Sequence, residues 1–386
     1  MNSIPYGRQD VTDADIASVV EVLKSDFLTQ GPVVPRFERK VADSVGATHG
    51  IAVNSATSAL HIACLALGLG PGDWLWTSPI TFVASANCAL YCGAQVDFVD
   101  IDPKTYNLSP AALERKLIRA EQDGRLPKIV VPVHLCGQPC EMAEIHALAK
   151  RFRFFVIEDA SHAIGGRYDG EPVGNCRYSD ITIFSFHPVK IVTTAEGGMA
   201  VTNDDRLADR MRLFRSHGIT RDEAQMTTVP DGPWYYQQIE LGYNYRMTEL
   251  QAALGLSQMD RLTAYVERRH EIARRYDALL SPLPVTRPWQ HPSGHSGLHL
   301  YVIRVPADGA RSHLDVFLSL RQQGILVNLH YIPVHTQPYY RAFGFSDGDF
   351  PEAEAYYAEA ISLPMYATLT DAQQDVVVAA LAKALG

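Results

Sequence analysis

Lys190 sits in the stretch FSFHPVKIVTTAEGG, residues 184–198, after an aromatic and β-branched run and before two threonines and a glycine pair. An ammonium group is rarely placed among so much apolar material unless something occupies it. Other polar residues stand at similar places in the chain. Asp159 ends RFFVIED, with His162 three residues on, and Ser185 closes the run ITIF before Lys190. Asn54, Ser55, Ala56 and Thr57 follow GIAV and open a helical pattern. Small and hydroxylated residues at a helix N-terminus make an anion cradle, because free backbone N–H groups and the helix dipole face the ligand. An anion cradle, an acid and a lysine at the ends of neighbouring strands are the parts needed to hold pyridoxal 5'-phosphate. The cradle takes the phosphate, the acid keeps the pyridine nitrogen protonated, and the lysine joins the aldehyde covalently.

Each part also has a plainer reading. NSAT is a serviceable N-cap, EDASH a solvated turn, and Phe82 a core aromatic as readily as a platform for a ligand ring. Their order and shared placement at strand ends favour the site. Cys88 and Cys92 are four apart, as are Cys136 and Cys140, with His134 close to the second pair. That spacing does not match zinc signatures, so the thiols are expected to be structural and no metal site is expected.

The elements that must position these residues alternate. HGIAVN, WLWTS, AQVDFVD, KIVVPVH and RFFVIED read as strands, and the segments between them as helices. DITIFSF and GGMAVTN add two more strands. Apolar strands between amphipathic helices predict an α/β fold with a large, mostly parallel sheet covered on both faces. In such sheets ligands bind beyond the carboxyl ends of the strands. From Met247 to Leu280 the pattern is helical, as one helix or two in sequence. After it come LHLYVIRV, a helix, GILVNLHY and two helices, a smaller α+β unit. The expected division is a large domain over residues 1–245 and a smaller C-terminal domain over 246–386. VPDGPWYYQQIE, within 227–240, reads as a surface insertion.

Length and composition agree. The chain has 386 residues, 47% hydrophobic and 20% charged, enough for two domains with substantial cores. A net charge of −9 argues against nucleic acid or an anionic membrane as partner. The opening MNSIPYGRQDVTD lacks the layout of a signal peptide, and no apolar run is long enough to span a bilayer, so the expected location is the cytoplasm. GLGPG, residues 68–72, follows a helix rather than a strand, which counts against a dinucleotide fingerprint.

Eight blocks carry a resemblance over nearly the whole chain: DFLTQGP, NSATSALHIA, SPITFVASAN, VIEDASHAIG, FSFHPVKIVTTAEGG, RSHGI, GYNYRMTELQAALGLSQ and HYIPVH. The sequence resembles the DegT/StrS family of sugar aminotransferases, fold-type I pyridoxal phosphate enzymes. Within that family NSATSAL and FSFHPVK look closest to the transaminases of pseudaminic acid biosynthesis. The resemblance implies amino transfer from L-glutamate to C4 of a UDP-linked 4-keto-6-deoxy-N-acetyl hexosamine. It implies that Lys190 carries the cofactor, Asp159 faces the pyridine nitrogen and His162 lies near the ring's 3-hydroxyl. Phe82 would stack on the ring, and Ala56, Thr57 and Ser185 would bind the phosphate. Asn244 would reach the cofactor of a neighbouring subunit, making a homodimer with shared sites. Tyr6, Ser55, the segment Asp26, Phe27, Leu28 and Thr29, and the segment Asn328, Leu329, His330 and Tyr331 would border the sugar nucleotide. The alternatives are another nucleotide keto sugar of dTDP or UDP-D-xylo type, a sugar dehydratase, or a non-catalytic cofactor-binding protein. The family's dehydratases carry histidine in place of the lysine. Here Lys190 is present and His187 stands three positions early.

Overall fold

The computed structural model describes residues 3–306, 309 and 311–386. Its centre is a seven-stranded sheet. In spatial order the strands are His49–Val53, Gly198–Thr202, Ile181–Ser185, Phe155–Asp159, Ile129–Val131, Trp74–Thr77 and Gln95–Phe98. Six run parallel, and Gly198–Thr202 runs antiparallel to both neighbours. The strands Ile181–Ser185 and Gly198–Thr202 are buried along their whole length, which explains their unbroken apolar runs.

Helices cover the sheet, as the alternation predicted: Ala56–Ala66, Ala84–Tyr91, Pro110–Asp123 and Met142–Phe152 follow successive strands. Ser55 caps the first, its Oγ accepting from the Ser58 N–H at 3.1 Å, and Ser109 caps Pro110–Asp123 through the Ala112 N–H. The helical stretch after Met247 is two helices, Glu249–Met259 and Leu262–Leu279, separated at Asp260–Arg261.

The C-terminal part differs from expectation in two places. Among the elements after GILVNLHY, where two helices are expected, lies a strand, Ala360–Leu363, antiparallel to Tyr301–Arg304. Of GILVNLHY only Ile325–Leu326 forms a strand, parallel to Ile4–Pro5. The rest stays extended, bridged once from Asn328 to Ser362. The N-terminal residues therefore pack with the C-terminal ones. Asp15, on the helix Asp13–Leu23, is fully buried and accepts from Gln258 Nε2 at 2.9 Å and Arg261 Nη2 at 2.6 Å. No helix of the described residues is long and apolar enough to cross a membrane.

Candidate active site

A cavity of about 940 Å³ opens beyond the carboxyl ends of the sheet strands. Three loops build it. The turn from the strand His49–Val53 into the helix Ala56–Ala66 brings Ser55, Ala56 and Thr57. The strand Phe155–Asp159 ends in Asp159, with His162 in the turn after it. Ser185 ends its own strand and leads into the loop that carries Lys190. That loop is tied to Phe186, whose carbonyl accepts from the Thr194 N–H at 2.9 Å and the Thr193 hydroxyl at 3.0 Å. Phe82 and the segment Asn328–Tyr331 form the opposite wall, and Tyr6 comes in from the N-terminus.

The turn at the start of the helix Ala56–Ala66 depends on glycine. A Cβ at Gly198 would lie 2.5 Å from the Ala56 nitrogen, so only glycine lets this strand pass so close to the start of the helix. Ser55 occupies its hydroxyl with capping. The Ala56 and Thr57 N–H groups, in the helix's first turn, have no intrahelical acceptor.

Electrostatics divide the site. Burial pushes the Lys190 ammonium down to about 8, against the opposing pull of the Asp159 charge, and among the described residues no side-chain hydrogen bond offsets the loss of water. Asp159 is buried; its Oδ2 accepts from Ser85 Oγ at 2.6 Å and its Oδ1 from the Ser161 N–H at 3.1 Å. Burial, then the Lys190 charge, hold His162 well below the usual imidazole range. Its Nδ1 accepts from the Cys136 N–H at 3.2 Å. A neutral ring that accepts at Nδ1 carries its proton on Nε2, which therefore donates to the Tyr331 hydroxyl at 3.1 Å. His330 is likewise pushed down, to about 3, by burial and by Lys190.

Most of the expected residues converge on one cavity: Tyr6, Ser55, Ala56, Thr57, Phe82, Asp159, His162, Ser185, Lys190 and residues 328–331. Phe82 is a correction to its core-aromatic reading: it is 59% exposed, with Tyr331 its ring neighbour at 6.3 Å. Asp26, Phe27, Leu28 and Thr29 do not line this cavity. Their segment is exposed and is held by the Leu28 carbonyl to the Glu249 N–H and by a bridge from Thr29 to Thr248. Asn244 is also exposed, outside the cavity, in a bridge with Ser216.

Sequence reasoning missed Thr81, Ser85 and Ser161, which stand close to Asp159 or to its hydrogen-bond partner, and His299, whose ring centroid is 4.5 Å from that of His162. Thr81 and Ser85 lie inside the block SPITFVASAN, but nothing in their spacing pointed at Asp159. His134 spends both ring nitrogens on protein partners, Glu158 and the Cys140 N–H. Among the described residues no group of three or more His, Cys, Asp or Glu side chains is placed to hold a metal ion.

Residues 9–382 match the DegT/DnrJ/EryC1/StrS aminotransferase family. This chain belongs to that family. It is a pyridoxal phosphate-dependent sugar aminotransferase. Two curated relatives span almost the full length. The spore coat polysaccharide biosynthesis protein SpsC of Bacillus subtilis is 40% identical, covering 98% of this chain and 96% of its own. The GDP-perosamine synthase of Caulobacter vibrioides is 36% identical, covering 99% and 98%. Among solved structures, Helicobacter pylori PseC, an aminotransferase involved in the biosynthesis of pseudoaminic acid, aligns with a TM-score of 0.91 at 31% identity, over 100% of this chain and 99% of its own. The PLP-form of the putative sugar aminotransferase Spr1654 from Streptococcus pneumoniae aligns with a TM-score of 0.89 at 28% identity, over 99% and 98%.

The donor set fits this cofactor. The helix start would offer N–H groups to a phosphate, the buried Asp159 carboxylate would accept from a protonated pyridine nitrogen, and Lys190, of lowered basicity, lines the same cavity.

Proposed function

We propose that the enzyme moves an amino group from L-glutamate to C4 of a UDP-linked 2-acetamido-2,6-dideoxy-4-keto hexose, the step that supplies the 4-amino sugar for pseudaminic acid, and that it does so in the cytoplasm. The observation that carries the substrate reading is the full-length likeness to PseC, together with the blocks NSATSAL and FSFHPVK.

Bound at this site, the cofactor supplies an aldehyde to take up the amino group and a ring to accept electrons from the donor's α-carbon. The chain supplies everything else. Ala56 and Thr57 N–H groups and the Ser185 hydroxyl would hold the cofactor's phosphate, Asp159 would accept from its pyridine nitrogen, and Phe82 would pack against its ring. Lys190 anchors the cofactor. With a pKa near 8 its amine loses a proton far more readily than a surface lysine, so its free form would take the proton from the donor's α-carbon. The same amine returns a proton at C4 of the sugar in the second half-reaction. His162 stays neutral and orients Tyr331, whose hydroxyl proton is free for a ligand.

Tyr6, Asn328, His330 and Tyr331 line the sugar side with neutral donors and acceptors. Such a wall suits a neutral sugar on a pyrophosphate. Asn244 and residues 26–29 serve the site of a second copy in a homodimer, which accounts for their exposure here.

A GDP-linked or dTDP-linked 4-keto sugar is the second reading; the 36% identity to the perosamine synthase favours the GDP form. The test supplies glutamate with the UDP-linked L-arabino 4-keto sugar, its D-xylo epimer, GDP-4-keto-6-deoxymannose and dTDP-4-keto-6-deoxyglucose. The L-arabino substrate is expected to give the highest kcat/KM. Clear preference for the GDP or dTDP sugar overturns the assignment.

A further inference from the structure

Ser85 and Thr81 lie four residues apart at the start of the helix Ala84–Tyr91. Hydroxyls at such places ordinarily cap backbone N–H groups. These do not. Among the described residues, Ser85 Oγ bonds to Asp159 Oδ2, at 2.6 Å, and to Thr81 Oγ1, at 2.8 Å, and Thr81 Oγ1 bonds to Ser85 alone. The three side chains are all buried, at 2% exposure for Thr81, 1% for Ser85 and 5% for Asp159.

The direction of this chain follows from what each group can do. An ionised carboxylate only accepts, so the Ser85 proton lies on the bond to Asp159. The Ser85 oxygen is then left to accept, and Thr81 donates to it. We propose that Ser85, backed by Thr81, is the positioning residue that holds the Asp159 carboxylate in the plane in which it meets the cofactor's pyridine nitrogen. The proposal rests on the reading of Asp159 given above.

Two donors pin the carboxylate, Ser85 on Oδ2 and the Ser161 N–H on Oδ1, which fixes its plane and leaves lone pairs for a cation. A carboxylate held in one plane presents its free lone pair to a protonated ring nitrogen and stabilises the proton there. Without Ser85 the carboxylate gains rotational freedom, and that directed contact to the ring nitrogen weakens.

The test reconstitutes the enzyme with pyridoxal phosphate labelled with 15N in the ring and reads the nitrogen's chemical shift against pH, together with the cofactor dissociation constant. The wild type is expected to show a protonated nitrogen across the neutral range. Ser85→Ala should move the shift toward the unprotonated value and weaken cofactor binding by about 10- to 100-fold, the scale of a hydrogen bond to a charged group. Thr81→Val should move both in the same direction by less, and Ser85→Thr should restore them. Asp159→Asn is the reference for loss of the carboxylate. If Asp159→Asn keeps a protonated nitrogen, the reading of Asp159 itself fails. If Asp159→Asn loses the proton while Ser85→Ala behaves as wild type, the role of Ser85 is overturned alone. Should Ser85→Ala fail to fold by circular dichroism, an unchanged shift in Thr81→Val overturns the proposal.

Discussion

At the scale of single residues, the site works by holding groups away from their ordinary protonation states. Lys190 is brought down to about 8 by burial, so the apoprotein carries a reactive amine at mildly alkaline pH. Only the neutral amine attacks an aldehyde. The rate of cofactor uptake by the apoprotein is therefore expected to rise about tenfold per pH unit below 8 and to level off above it, which a stopped-flow absorbance titration measures. A rate that keeps climbing well beyond that point would show an ordinary lysine. His162 gives a second expectation. It is an acceptor at Nδ1 and a donor at Nε2, and both ring nitrogens are taken up by protein partners. Glutamine offers the same pair of functions, so His162→Gln should keep kcat within about tenfold, whereas His162→Leu strands the Cys136 N–H and frees Tyr331, at a cost of about 1–3 kcal/mol in transition-state binding. Equal losses in the two variants would point to imidazole acid–base chemistry instead.

At the scale of elements, the proposed cradle depends on how closely a strand passes a helix start. Gly198 and the Ala56 nitrogen leave no room for a methyl group. Gly198→Ala should push the first turn of the helix out of place, destabilising the protein by about 1–3 kcal/mol and weakening cofactor binding by more than the fold as a whole. Thermal melts with and without pyridoxal phosphate separate the two effects: the shift on adding cofactor should shrink in the variant. A full cofactor-induced shift would mean that the phosphate sits elsewhere. The elements around this strand were legible in sequence because each signal was local. NSAT announced a helix start, and apolar runs announced buried strands. Ala360–Leu363 was not legible. It follows a helix without a break in composition, and only its pairing with Tyr301–Arg304 makes it a strand.

At the scale of the whole molecule, the described surface carries unpartnered features on the segments that bear Asn244 and residues 26–29. Trp234 is 73% exposed, Leu241 73% and Phe27 53%. A single chain leaves these apolar groups in water, which a two-fold dimer would relieve. If Asn244 serves the partner's cofactor, then mixing Lys190→Ala protein with an Asn244→Ala variant under subunit exchange should restore about a quarter of wild-type activity, because half the molecules are mixed dimers with one intact site of two. Native mass spectrometry confirms the exchange. No recovery among proven mixed dimers would place each site within one chain.

What the sequence by itself determined was the set of chemical parts and their order. The strand–helix alternation is local, and Asp159, Ser185 and Lys190 lie at strand ends that such a sheet must bring to one edge. The tertiary structure decided what acts on them. The Ser85 bond to Asp159 joins residues 74 positions apart, the contact of His162 with Tyr331 spans 169, and the pairing of Ile4–Pro5 with Ile325–Leu326 joins the two ends of the chain. Periodicity and capping report only on near neighbours. Contacts at such separations follow from packing the whole chain around one sheet, and so do the lowered basicities of Lys190 and His162, because the burial that causes them exists only in the folded molecule.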